Sequence, residues 1–204
     1  QTIGAVNILI DGKIHWDIRR GIEAALALLP GDEETKKTVL SQIEDFFRQR
    51  IKAIMLDEGI AYDIIDAVLA GPVDDIYALF LKARSMAESQ LKGEAELRQA
   101  VTRLANITKG KAGGKVDPSL FTEDVEKKLQ DAFEAVSAKA LPLFASYEYG
   151  KALPALKELT APINDYLDNV MVMVDDEAVK NNRISQLLAT LALFNTWGDF
   201  SKLV

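Results

Sequence analysis

The chain has 204 residues, 49% hydrophobic and 27% charged, with a formal net charge of −7. Length and apolar content suffice for a buried core, while the negative total speaks against the indiscriminate polyanion binding that a generally positive surface gives. There is no cysteine and no apolar run near the roughly 20 residues of a membrane-spanning helix, which excludes a disulfide framework and leads to the expectation of a cytoplasmic protein with no membrane partner.

The chain opens at Gln1, inside an apolar pattern of Ile3, Val6 and Ile10, and reads as a piece of a longer chain. Residues 1–16 are expected to be the remnant helix of a preceding domain, with Asp11-Gly12 as a turn. No signal-peptide pattern precedes Asp11. His15, Trp16, Ile18, Ile22, Ala25, Leu26 and Leu29 keep a helical period up to Pro30-Gly31. His15 is the only histidine and has no cysteine for company, so metal ligation is not expected. Asp32 then caps a long helix in which Val39, Leu40, Ile43, Phe46, Phe47, Ile51, Ile54 and Met55 follow the period until Gly59. Arg48 and Arg50 flank that stripe, either as solvated charges or as an RNA or domain contact. A short helix over 62–69 stops at Gly71-Pro72, and the next, over 73–86, has Ile76, Leu79, Phe80 and Ala83 as its core face.

Gly93 breaks the chain again, and Glu94 begins a helix carrying Leu97, Ala100, Val101, Leu104 and Ile107. From Leu97 to Val116 no acidic residue occurs, while Arg98, Arg103, Lys109, Lys111 and Lys115 supply five positive charges. Any contact with a polyanion is therefore expected to be local. Arg103 and Asn106, three apart, lie one above the other on a helix face. Residues 109–115, KGKAGGK, hold three glycines in seven and read as a mobile basic loop. They are not a phosphate-cradling P-loop, because the G-x-x-x-x-G-K-[ST] spacing and a preceding strand are both missing. Asp117-Pro118 restarts order, Leu120 to Leu143 describes a long helix that Pro142 kinks or ends, and a short helix over 151–159 follows a turn at 146–150.

In the stretch 160–183, Ile163, Tyr166, Leu167, Val170, Met171 and Val174 fall at offsets 0, 3, 4, 7, 8 and 11, which predicts one helical stripe. The period-two run VMVMV at 170–174 is overridden by that longer pattern. Asp175, Asp176 and Glu177 suit the positive N-terminal end of a second helix, continued by Ile184, Leu187, Leu188, Leu191 and Phe194. The two helices are expected to pack as antiparallel neighbours, with Lys180, Asn181, Asn182 and Arg183 toward the exposed side. Strand signals are otherwise absent, and the fold class is all-α.

The segment DYLDNVMVMVDDEAVKNNR resembles the signature near the C-terminus of the β subunit of bacterial heterotetrameric glycyl-tRNA synthetase. EDFFRQRIKAIMLDEGIAYDIIDAVLAG resembles the part that opens the anticodon-binding domain of that family, and LRQAVTRLANITKG resembles its Asn-Ile helix end, where an arginine precedes an asparagine by three as Arg103 precedes Asn106. The resemblance spans residues 43–203. It departs around 98–103, where the expected Asn-Lys-Arg stands as Ala100-Val101-Thr102-Arg103.

The resemblance implies an irregular helical bundle over 17–204, an anticodon-binding domain of the type shared with arginyl-tRNA synthetase. It implies recognition of the tRNA(Gly) anticodon as the C-terminal part of the glycine–tRNA ligase β subunit, positioning tRNA for aminoacylation by the α subunit. Unpaired anticodon bases can be read on their edges or stacked on planar groups, and the expected tRNA-binding residues are Arg98, Arg103, Asn106, Lys109, Lys111, Lys115 and Arg183. The lysines are assigned to phosphates, and Arg103 or Asn106, with Arg183 second, to a base. No nucleophile, acid–base pair or metal cluster is proposed by the spacing, and no synthetase active-site signature occurs. Catalytic residues and cofactors are thus expected to be none here, with ATP and Mg serving the holoenzyme. The alternatives are a helical protein-interaction module without RNA binding and the anticodon domain of arginyl-tRNA synthetase; the stretch DNVMVMV speaks against the latter.

Overall fold

The computed structural model describes residues 2–204, without the side chains of Thr2, Ile3, Gln90 and Lys92. The readings placed on Gln1 and on the side chain of Ile3 lie outside the described residues. Four helices start on an aspartate whose carboxylate takes a free first-turn N–H: Asp17 before α2 (Ile18–Ala27), Asp32 before α3 (Glu33–Asp57), Asp75 before α5 (Ile76–Glu88) and Asp176 before α10 (Glu177–Asn195). With α1 (Thr2–Asp11), α4 (Tyr62–Val68), α6 (Ala95–Thr108), α7 (Asp124–Ala145), α8 (Leu153–Lys157), α9 (Thr160–Asn169) and four short 3-10 turns they complete the described chain. No strand occurs among the described residues; an isolated bridge joins Asp17 to Asp75.

α1 packs on α3 and α5, α2 on α3, and α4 on α5. α6 and α7 form the other half of the frame: α9 lies against both, and so does α10. The C-terminal tail closes the two halves together. Trp197 and Phe200 are fully buried, the Trp197 indole donates to the Lys82 carbonyl (3.2 Å) and to Ser85 Oγ (3.0 Å), and the turn 200–202 lies on α4 and α6. Val6, Leu9 and Ile10 of α1 belong to the same connected core as Phe80, Leu104, Leu129, Ile163 and Leu187.

Three details differ from the sequence expectations. α7 starts at Asp124, so Leu120 and Phe121 precede it, Leu120 within the 3-10 turn Pro118–Leu120, while Pro142 stands in its last turn as an ending proline does. α9 stops at Asn169, whose side-chain amide donates to the Asp165 carbonyl (2.9 Å) and so satisfies one of the acceptors that a helix end leaves free. Val170 itself is extended, at φ −109° and ψ 121°, and the chain then bends at Val172 and Met173. Val170 and Val172 are buried while Met171 and Met173 are exposed. Burial therefore alternates over residues 170–173 without a strand forming, and the helical stripe ends at Leu167.

The third concerns the pairing of α9 with α10. Residues 182–187 are buried without interruption, because α10 has α6 and α7 packed on it and, as described below, the loop after α6 laid along it. A helix covered on several sides has no single stripe to offer to α9. Ile163 is fully buried, so Ile163→Ala should cost about 2–5 kcal/mol of stability. Met171→Ala should stay within about 0.5 kcal/mol. Thermal unfolding of the two variants checks this; equal losses would restore a stripe running on through Met171.

Candidate nucleic-acid interface

The acid-free stretch splits along α6. Arg98 turns toward the C-terminal tail, where its Nη1 donates to the Leu203 carbonyl at 3.1 Å. Five residues on, about 7.5 Å along the axis and on a different face, Arg103 reaches α9. Its Nη1 donates to Asn164 Oδ1 (3.0 Å) and its Nη2 to Asp168 Oδ1 (2.5 Å), with the two charged side chains 37% and 61% exposed. Asn106 is exposed one turn further along. Arg98 is therefore not brought together with Arg103 and Asn106.

The glycine-rich loop that follows is laid on α10. Gly110 supplies a left-handed turn at φ +70°, and Lys111 N–H closes it on the Thr108 carbonyl (3.0 Å). Gly113 approaches Leu188 so closely that an added Cβ would stand 2.9 Å from its Cδ1. Gly114 N–H then donates to Ser185 Oγ (2.8 Å), and Asn182 clasps Asp117 from both sides, accepting from its N–H (2.7 Å) and donating to its carbonyl (3.0 Å). The expectation of a loop free to move gives way to a backbone pinned at three points, from which exposed Lys109 and Lys115 and half-exposed Lys111 project. A groove between loop and helix is lined by Lys115, Asn181, Asn182 and Ser185.

Arg183 is 4% exposed, which corrects the exposed position expected for it and for Asn182. Its guanidinium donates through Nε to Glu126 Oε1 (3.0 Å), through Nη2 to Thr122 Oγ1 (2.7 Å) and Glu126 Oε2 (3.2 Å), and through Nη1 to the Met171 carbonyl (2.8 Å). Glu126 Oε2 also accepts the N–H groups of Thr122 and Glu123, both at 2.9 Å, and so caps α7. Burial pushes the Glu126 carboxyl up, but the Arg183 guanidinium and those N–H groups outweigh it and hold it below the usual glutamate value. Burial raises the neighbouring Tyr166 phenol, and Glu126 adds to the effect. With its donors directed inward, Arg183 is a structural cation and not a reader of bases.

Arg48 is likewise structural: its Nη1 donates to the carbonyls of Leu69 and of Gly71 (3.1 Å), closing the end of α4. Arg50 lies over the Phe46 ring, 4.6 Å from its centroid. His15 hydrogen-bonds Asp75 through Nδ1 (2.7 Å) and stacks on Tyr147. Asn164 and Asp168, the partners of Arg103, were not singled out in the sequence; their four-residue spacing on one helix face is the signal that could have found them. Glu126 was not singled out either; its arginine partner lies 57 positions away. No group of three or more metal-ligating side chains occurs among the described residues.

Residues 1–70 match the family model described as glycyl-tRNA synthetase beta subunit, and residues 97–198 match that of the DALR anticodon binding domain. The second range takes in the acid-free stretch, the loop, α9 and α10. Over 205 residues the chain is 35% identical to the glycine–tRNA ligase beta subunit of Clostridioides difficile (strain 630), covering 100% of this chain and 30% of that protein. It is 34% identical over 204 residues to the corresponding subunit of Desulforudis audaxviator (strain MP104C), covering 99% of this chain and 30% of that one. The chain thus spans about 30% of the length of these curated relatives.

Arg183→Met leaves Glu126 buried without its counter-charge and should cost about 3–5 kcal/mol, with Glu126→Met added in the same chain recovering much of that. Denaturant melts of the single and double variants test it. Because the folded pKa of Glu126 lies below its unfolded value, its contribution is fully present above the ordinary glutamate range, about 4.3, and is lost as pH falls through the folded value. Glu126→Gln should therefore lack that part of the acid slope when melting temperature is followed against pH.

Proposed function

Since the chain belongs to the glycyl-tRNA synthetase beta-subunit family through a DALR anticodon-binding domain, we propose that it recognises the anticodon of tRNA(Gly) and positions that tRNA for aminoacylation by the α subunit of glycine–tRNA ligase. The observation that carries this reading is the second half of α6, where Arg103 and exposed Asn106 lead directly into the lysine-bearing loop, inside the range matched to the anticodon-binding family. The pinned loop holds Lys109, Lys111 and Lys115 where they can meet phosphates, and Arg103 and Asn106 stand beside them with polar edges suited to an unpaired base. Arg98 and Arg183 drop out of the tRNA-binding set because their guanidinium groups bind the chain's own carbonyls and carboxylate.

This segment carries tRNA recognition and no chemistry. ATP and Mg²⁺ serve the whole enzyme and have no place assigned here. No helix among the described residues is long and apolar enough to cross a membrane, and the enzyme is read as cytoplasmic. Purified, the chain should form no glycyl-adenylate; measurable adenylate would overturn the division of labour.

The two kinds of contact separate in a salt series on the whole synthetase. Lys111→Ala should weaken all tRNAs alike and lower the salt slope by about one unit, whereas Arg103→Ala should cost roughly 1–3 kcal/mol chiefly against tRNA(Gly). Binding of both variants at parental strength would remove this surface as the anticodon site.

A further inference from the structure

Arg103 and Asp168 form an exposed ion pair on two well-anchored helices. α6 is held by fully buried Ala100, Val101 and Leu104, α9 by fully buried Ile163 and Tyr166, and the two pack on one another. Asn164 and Asp168, four apart and so neighbours on one face of α9, divide the guanidinium between them. Nη1 donates to Asn164 Oδ1 at 3.0 Å and Nη2 to Asp168 Oδ1 at 2.5 Å. A guanidinium has five N–H donors, so these two bonds leave three for another partner. The second carboxylate oxygen of Asp168 makes no hydrogen bond among the described residues.

The charges of this pair cancel, and that narrows what it suits. When a phosphate takes Arg103, the Asp168 carboxylate gains no partner and stands beside a second anion. A base edge that sets an amino group next to acceptor atoms makes the exchange even. Its acceptors take guanidinium N–H groups, and its amino group donates to the carboxylate, as N4 of cytosine does to an aspartate. The Watson–Crick edge is open in an unpaired base, and there cytosine alone of the four bases carries two acceptors, O2 and N3, beside an amino group. Uracil has the carbonyl O4 in the place of that amino group, and an oxygen facing a carboxylate has no proton to share.

We propose that Asp168 selects cytosine in the bound anticodon, accepting a hydrogen bond from its N4 amino group while Arg103 donates to the acceptors on the same edge. Uncharged Asn164 keeps its hold on Nη1 as the carboxylate passes from Nη2 to the base. The inference rests on the anticodon-binding reading of this face and adds to it the group that discriminates between bases.

The test measures binding, by the whole synthetase, of tRNA(Gly) and of transcripts in which each anticodon cytosine is changed in turn to uracil. At the position read, the parent should bind the uracil transcript roughly 5- to 150-fold more weakly, the discrimination that one well-placed base contact gives. Asp168→Asn should bring the two transcripts close to equal there and leave the other positions as in the parent, because an amide can turn its oxygen to N4 or its amino group to O4. Losing a negative charge also tightens the binding of every tRNA alike, which cancels in that ratio. Asp168 is 61% exposed, so the variant should melt with the parent. Parental discrimination by Asp168→Asn at every anticodon cytosine overturns the proposal. Lys111→Ala and Arg103→Ala then separate the two readings: if either weakens binding, the RNA face stands and only the selection by Asp168 falls, whereas parental binding by both removes the face as well.

Discussion

The buried pair of Arg183 and Glu126 is the constraint on which the functional end of the molecule depends. A guanidinium taken out of water costs several kcal/mol unless its charge and donors are met, and here the meeting groups come from three separate places: the cap of α7, the hydroxyl of Thr122 and a carbonyl in the α9–α10 connection. Glu126 both caps α7 and neutralises Arg183, so the start of α7 cannot shift without exposing an unpaired charge in the core. Asn182 and Ser185, on either side of Arg183 along α10, pass the same constraint to the loop. One buried cation thereby fixes the entry of α10, the connection before it and the loop beside it.

Most of the helical frame was legible because its signals are local. An aspartate followed by an apolar period marks a start, and Gly59 at φ +81° marks a stop within one turn of sequence. The α9–α10 connection was not legible, because its residues fit both a helical stripe and a two-residue alternation, and the Met171 carbonyl is taken by a residue 12 positions away. Nothing in residues 170–174 encodes that bond. The polar run at 180–183 misleads for a related reason: asparagine and arginine read as solvated when one face of a helix is assumed to be free, and α10 has little free face.

The loop shows the same limit from the other side. Three glycines in seven residues read as freedom, yet Gly113 sits where an added Cβ would stand 2.9 Å from Leu188 Cδ1, and Gly110 turns the chain at positive φ. Glycine permits both a mobile chain and a close approach, and only the neighbour distinguishes them. The candidate site was therefore half legible. Charge and spacing located the cationic stretch, while the separation of its arginines into available and committed ones required the packing.

That separation explains how a chain at −7 can meet a polyanion. At physiological ionic strength exposed charges act over about 8 Å, so the local arrangement outweighs the total. Arg103 and Arg183 are both paired with a carboxylate, but the partners differ in exposure. Asp168 is 61% exposed, and a pair of that kind is worth about 0–1 kcal/mol; water or a phosphate can replace the carboxylate at little cost. Glu126 is fully buried, and separating it from Arg183 strands two charges in the core. In the proposed reading Asp168 holds Arg103 in place until an RNA competes for it, whereas Arg183 stays paired in the core. The same residue type at the same end of the bundle is held by a replaceable partner in one case and is framework in the other, decided by the burial of that partner.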